Sequence, residues 1–307
     1  MKYAKNIQQL IGHTPLIELT AFPLPEGVRL FAKLEFFNPG GSVKDRLGQY
    51  LLEQAFRSGE LQKGGTVIEP TAGNTGIGLA LAAIHYGVKA VFVTPEKFSQ
   101  EKQILMKALG AKVVNTPTEL GMEGAIKKAE ELLQTIPNSY YPGQFRNEWN
   151  PATYYETLGP ELVEAMDGQI DIFVAGAGSG GTFMGTARYL KDHVPCVRCV
   201  VVEPEGSILN GGKPGSHETE GIGMEFLPPF IDTTLFDGIH TISDQDAFHY
   251  LREAARIEGL LVGSSSGAAL AAALKEAEQA PPGSHIVTIF PDSSERYISN
   301  RIYDEVK

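Results

Sequence analysis

Residues 66–86 read TVIEPTAGNTGIGLALAAIHY. The opening TVIE is a short apolar run of strand length, Thr66 to Glu69. Thr71 to Gly76 follow as a turn of small and polar residues, and the apolar stretch from Thr75 to Tyr86 has helical length. A second apolar run, Ala90 to Thr94, comes soon after. Strand, turn, helix and strand in this order make a βαβ unit, which implies parallel strands.

The same alternation extends outward in both directions. Further strands are expected at Leu30 to Leu34, Lys112 to Asn115, Ile170 to Ala175, Val197 to Val202 and His285 to Phe290. Further helices are expected at Val43 to Arg57, Ser99 to Leu109, Gly121 to Leu133, Pro151 to Met166, Thr182 to Lys191, Asp244 to Glu258, Ser266 to Glu278 and Ser294 to Glu305. The fold class is therefore α/β, with two series of βαβ units, one from about Thr66 to Asn115 and one from about Asp171 onward. The stretch Ile136 to Asn150, rich in Pro, Asn and aromatics, reads as the crossing between two open, twisted, mostly parallel sheets. Ligands of such sheets bind beyond the C-terminal strand ends, so a site is expected in a cleft between two domains.

Composition excludes several classes of function. The chain has 307 residues, with 26 Lys plus Arg against 37 Asp plus Glu, a net charge of −11. An acidic chain without a basic run repels nucleic acid. No apolar stretch is long enough to cross a membrane, and the N-terminus lacks the apolar core of a secretion signal. Two cysteines, in the spacing Cys196-x-x-Cys199, fit a reducing compartment. On one strand these two point to opposite faces, so neither a disulfide nor a shared metal is expected of them. No metal site is expected elsewhere, and none of the seven histidines is assigned to catalysis.

Five segments carry polar chemistry at strand-to-helix turns. In Asn38-Pro-Gly-Gly-Ser-Val-Lys-Asp-Arg46, Ser42 is placed to cap a helix and Lys44 falls in its first turn. A helix start disfavours the ammonium form, which suits an amine used in Schiff-base chemistry; a surface lysine reaching solvent is the alternative. The turn Thr71-Ala72-Gly73-Asn74-Thr75 offers hydroxyls, an amide and helix-start N–H groups to an anion such as a carboxylate. Gly176 to Thr182 (GAGSGGT) suits a phosphate, but Gly176, Gly178, Gly181 and the later Glu203 also match a dinucleotide-binding fingerprint. Gly263 to Gly267 (GSSSG) holds three hydroxyls, Ser266 being a natural helix cap. Phe290 to Ser294 (FPDSS) ends a strand where ligands sit.

Taken in order, the segments IGHTPL, GSVKDR, TAGNTG, GQF, GSGGT, EGIG, SSSGAA and PDSSERY resemble the cysteine synthase and cystathionine β-synthase branch of the fold-type II pyridoxal phosphate enzymes. The resemblance covers nearly the whole chain. It implies a smaller mobile domain over 41–146 and a larger one over 1–40 and 147–307. It implies that Lys44 holds pyridoxal 5'-phosphate covalently and that Asn74 bonds the ring hydroxyl. Gly178, Ser179, Gly180, Gly181 and Thr182 would bind the phosphate, and Ser265 would meet the pyridine nitrogen. Thr71, Ala72, Gly73, Asn74, Thr75 and Gln144 would hold the substrate carboxylate, with Gly221 to Gly223 beside the entrance.

A neutral Ser at the pyridine nitrogen suits β-elimination, in which charge leaves with the leaving group. Lys44 would take the α-proton, a thiolate would add at the β-carbon, and the kinetics would be ping-pong. Ala72 stands where cysteine synthases have Ser, and Pro291-Asp292 and Glu220 to Phe226 look more like cystathionine β-synthases. The resemblance thus implies O-acetylserine as one substrate and homocysteine as the thiol, with sulfide as the alternative. A cytoplasmic homodimer without nucleic-acid or membrane partners is the matching expectation. A nicotinamide-dependent dehydrogenase would leave GSVKDR and TAGNTG without a role.

Overall fold

The computed structural model describes residues 1, 3–71 and 73–304. In chain order the strands are β1 (Leu16–Glu18), β2 (Arg29–Leu34), β3 (Thr66–Pro70), β4 (Lys89–Pro95), β5 (Lys112–Thr116), β6 (Ser139–Tyr140), β7 (Ile172–Gly176), β8 (Arg198–Pro204), β9 (Gly238–Ile242) and β10 (His285–Phe290). The helices are α1 (Lys44–Ser58), α2 (Asn74–Tyr86), α3 (Gln100–Ala108), α4 (Gly121–Thr135), α5 (Trp149–Glu156), α6 (Leu158–Ala165), α7 (Gly181–His193), α8 (Asp244–Glu258) and α9 (Ser264–Ala277).

The chain divides into two units, Met1–Ile11 with Asn38–Trp149, and Gly12–Phe37 with Asn150–Lys307. The first eleven residues group with the smaller unit because the buried Gln8 amide donates to Leu81 O, 2.9 Å away on α2. The smaller unit holds a four-stranded, all-parallel sheet in the order β5-β4-β3-β6. Ile68, Val91 and Val93 of that sheet pack against Ala125 and Ala129 of α4. The larger unit holds a six-stranded sheet, β1-β2-β10-β7-β8-β9, parallel except for the edge strand β1. Its core joins Val174, Val200 and Ile286 to the small-residue face of α9, Leu270 to Ala273. The α/β class with mainly parallel sheets is as the sequence reading expects.

Some expected elements differ, each for a local reason. The helix expected from Pro151 to Met166 breaks at Thr157, whose hydroxyl turns back to Thr153 O at 2.6 Å. Pro160 has no N–H to carry the first helix onward but is tolerated in the first turn of α6. The helix expected from Ser294 forms only two short turns, Ser294–Arg296 and Ile298–Asn300. Buried Tyr297 is drawn to Asp292, and Ser294 N donates to Leu261 O, so tertiary bonds override helix propensity; Glu305 lies outside the described residues. The strands β1, β6 and β9 lacked a sequence signal because they are short or half-exposed. Cys196 precedes β8 with φ +61 and is exposed, whereas Cys199 is buried within the strand; both thiols are free.

Candidate active site

In the smaller unit, Lys44 is the first residue of α1. Asn38 and Gly41 close the turn before it, with Gly41 N donating to Asn38 O at 2.7 Å and φ +76 at Gly41. The buried Asp45 side chain folds back to accept from Gly40 N, and a Cβ on Gly40 would sit 2.4 Å from Asp45 Oδ1. Val43, not Ser42, occupies the cap position, while Ser42 Oγ accepts from Lys44 N at 3.2 Å. The hydroxyl therefore still satisfies one of the helix-start donors. Helices α1 and α2 cross in backbone contact: a Cβ on Gly78 would be 2.3 Å from Lys44 O. A Cβ on Gly48 would be 2.2 Å from the Gly78 carbonyl carbon. These two helix glycines, which the sequence reading passed over, set Lys44 against the helix that carries the TAGNTG turn.

That turn joins β3 to α2. Thr71 N donates to Val93 O at 2.9 Å, and Thr71 Oγ1 accepts from Gly73 N at 3.3 Å. Asn74 and Thr75 open α2, which has no side-chain cap. Ala72 lies outside the described residues. Thr75 Oγ1 donates to Gln144 Oε1 at 2.7 Å, and both residues are buried. With its oxygen engaged, the Gln144 amide presents Nε2 as its donor end. The structure thus brings Thr71, Asn74, Thr75 and Gln144 together with Gly73. The buried Lys102 of α3 runs its stem past Gly73, and Glu69 of β3 accepts from Gly143 N at 2.8 Å and Gln144 N at 3.1 Å. Both escaped the sequence reading; the available signal was a lone carboxylate inside an otherwise fully buried strand.

In the larger unit, Gly176 to Thr182 link β7 to α7. The N–H groups of Gly178, Ser179 and Gly180 meet no acceptor among the described residues. The first turn of α7 adds donors that no helix can satisfy internally. Asn150 Nδ2 donates to Ser179 Oγ at 3.1 Å, and a Cβ on Gly181 would fall 1.9 Å from Asn150 Oδ1. The EGIG segment lies on this loop, with Gly223 N donating to Ala177 O at 2.9 Å. A Cβ on Gly178 would meet Gly221 O at 2.3 Å, and one on Gly176 would meet Ile222 at 2.6 Å. The glycines at 221 and 223 have φ +91 and +106, which side chains rarely adopt.

The same unit places Ser265 near Gly221: a Cβ there would be 3.6 Å from Ser265 Oγ. Ser264 Oγ accepts from Glu220 N at 3.0 Å, and α9 starts at Ser264 with Gly263 as its cap residue. Ser266 is therefore not the cap; its hydroxyl is buried without a partner among the described residues. Tyr297 donates to the buried Asp292 carboxylate, which lies beneath Gly263. Burial and the Asp292 charge push the Tyr297 phenol well up. Glu203, the acid of the dinucleotide fingerprint, is buried and occupied. It accepts from Leu209 N (2.8 Å), Asn210 N (3.1 Å) and Thr241 Oγ1 (3.0 Å), so the loop after β8 uses the carboxylate that a ribose would need.

A dianionic phosphate fits the glycine loop, whose N–H donors lack acceptors among the described residues and whose backbone leaves no room for Cβ atoms. The smaller unit separately offers a lysine at a helix start, and the larger a buried serine hydroxyl at the start of α9. Scaffold and donor set define a fold-type II pyridoxal phosphate enzyme. The chain belongs to the pyridoxal-phosphate dependent enzyme family, whose model matches residues 7–292. It is 60% identical to the O-acetylserine dependent cystathionine β-synthase of Bacillus subtilis strain 168, over 99% of both chains. It is 57% identical to a cysteine synthase of Helicobacter pylori strain 26695, over 99% of this chain and 100% of that one. The crystal structure of O-acetylserine dependent cystathionine β-synthase from Helicobacter pylori matches with TM-score 0.96 and 57% identity, covering 99% of this chain and 100% of the other.

Proposed function

We propose that this enzyme replaces the β-acetoxy group of O-acetylserine with the sulfur of homocysteine, giving cystathionine. The observation that carries the reaction class is the Thr75–Gln144 pair at the start of α2, in the same unit as Lys44. With the Thr75 hydroxyl spent on Gln144 Oε1, the pair turns a buried amide nitrogen outward as a donor suited to an amino acid carboxylate. Lys44 would hold pyridoxal 5'-phosphate and, once released, would move the substrate α-proton at its Nζ. Asn74 would donate to the ring hydroxyl, Gly178 to Thr182 would hold the phosphate, and Ser265 would face the pyridine nitrogen. The bound cofactor would supply an electron sink at the substrate α-carbon. Thr71, Gly73, Thr75 and Gln144 would orient the carboxylate, and Gly221 would border the entrance. We also place the enzyme in the cytoplasm as a homodimer.

The thiol rests on different support. The relative at 60% identity carries the cystathionine β-synthase name, and Asp292 stands buried where that branch has its Pro-Asp pair. The relative at 57% named cysteine synthase favours sulfide as a second reading. Steady-state rates with O-acetylserine and each thiol separate the two. Cystathionine formation from homocysteine is expected; turnover with sulfide and none with homocysteine overturns the assignment. Ala72→Ser is expected to shift the thiol preference toward sulfide, since it supplies the hydroxyl that the TSGNTG motif of cysteine synthases carries at this position.

A further inference from the structure

Pairing between β3 and β6 stops at Val67 and Tyr140. Beyond that point the backbone of Gly143 and Gln144 has no strand partner among the described residues. The Glu69 carboxyl group takes the place of one, accepting from Gly143 N at 2.8 Å and Gln144 N at 3.1 Å through its two oxygens. Gly143 has φ +65, and its carbonyl accepts from Arg146 N and Asn147 N at 2.9 and 3.0 Å, so the turn is closed on itself and tied down by Glu69. Glu69 is fully buried, and no cation is paired with it among the described residues. Burial raises its carboxyl to about 8, and the two N–H bonds oppose that rise. A buried acid without a counter-charge destabilises a strand. An apolar residue would serve the sheet better, but it could not hold two N–H groups at a fixed place.

We propose that Glu69 is a positioning residue, whose two carboxyl oxygens fix the Gly143–Gln144 backbone and so aim the Gln144 amide at the substrate carboxylate. The proposal rests on the reading that Gln144 and the TAGNTG turn receive that carboxylate. The aim has two anchors: Glu69 holds the main chain of Gln144, and the Thr75 hydroxyl holds its side-chain oxygen. Glu69→Gln keeps the shape but turns an NH2 toward one of the two N–H donors, leaving that donor buried and unpaired.

The test uses cofactor-loaded wild type, Glu69→Gln and Gln144→Ala. Each is titrated with L-alanine and with L-alaninamide, which lacks the carboxylate, by following the visible absorbance of the bound cofactor. In Glu69→Gln the apparent Kd for L-alanine is expected to rise about 10-fold or more, and that for the amide by less than about 2-fold. Equal weakening of both probes would mean that Glu69 merely supports the fold, and overturns the proposal. Unchanged L-alanine binding in Gln144→Ala sinks the carboxylate-site reading itself. Weak binding in Gln144→Ala with wild-type binding in Glu69→Gln sinks only the positioning role. Should Glu69→Gln fail to load cofactor, Glu69→Asp replaces it. Its shorter side chain cannot span both N–H groups, and the same selective loss for L-alanine is required of it.

Discussion

At the scale of single residues, Lys44 and Glu69 differ in how they announce themselves. Lys44 sits in a motif of turn, hydroxyl and helix start, and its setting is local: Ser42 two residues before it and Asp45 next to it. Such a setting is readable from the chain. Lys44→Ala is expected to fold and keep its circular dichroism, to lose turnover by at least about 1,000-fold, and to lose the borohydride-reducible link to cofactor. Normal turnover in that variant removes the assignment. Glu69 gave no such warning. A Glu within a strand reads as solvent-facing, and only the approach of Gly143 and Gln144, more than 70 residues away, turns it inward. Ser266 misled in the opposite sense, since a serine before an Ala-rich helix reads as a cap while the helix starts two residues earlier.

At the scale of elements, the crossing of α1 and α2 positions Lys44. Glycine inside an exposed helix usually costs about 1 kcal/mol relative to alanine, so Gly48→Ala would ordinarily stabilise. Here its Cβ would lie 2.2 Å from the Gly78 carbonyl carbon and 2.4 Å from the carbonyl oxygen. Backbone cannot step aside as a flexible side chain can. Gly48→Ala is therefore expected to destabilise by about 2 kcal/mol or more, with the two helices forced apart and Lys44 moved with them. A lower urea midpoint and weaker cofactor retention check this; a raised midpoint contradicts the crossing. Apart from the helix that breaks at Thr157 and the one expected from Ser294, the helices and the main parallel strands were legible from periodicity, because each buries an apolar face. The edge strands β1, β6 and β9 were not, since three-residue β1, two-residue β6 and half-exposed β9 (GIHTI) lack such a face.

At the scale of the whole molecule, ionic ties link helices to the larger sheet. Glu276 on α9 meets Arg198 Nε of β8 at 2.9 Å and His240 Nε2 of β9 at 2.8 Å. Burial alone would raise its carboxyl, but the bonds and charges of His240 and Arg198 prevail and hold it at about 2, below its usual 4.5. A carboxyl depressed in the folded state adds stability above its unfolded value, and that share is lost as pH falls from about 4.5 to about 2. With the Arg198 side chain half exposed, the share is on the order of 2 kcal/mol. Glu276→Gln should lower the thermal midpoint at pH 7 and leave it nearly unchanged at pH 2. An equal deficit at both pH values counts against the ion pair as its source. The chain also passes between its two units three times, after residues 11, 37 and 149. Each unit is assembled from segments distant in sequence, so the first eleven residues belong with Asn38–Trp149 and not with the segment that follows them.

By itself the sequence determined the α/β class, the order of its glycine and hydroxyl turns, and the lysine at a helix start. These depend on local periodicity and on turn chemistry confined to a few neighbouring residues. Only the tertiary structure decided that Glu203 is consumed by its own loop, that Glu69 stands in for a missing strand, and that paired glycines let two helices touch. Those outcomes depend on atoms brought within hydrogen-bonding or contact distance from far along the chain, and short-range forces leave no trace of such meetings in residue order.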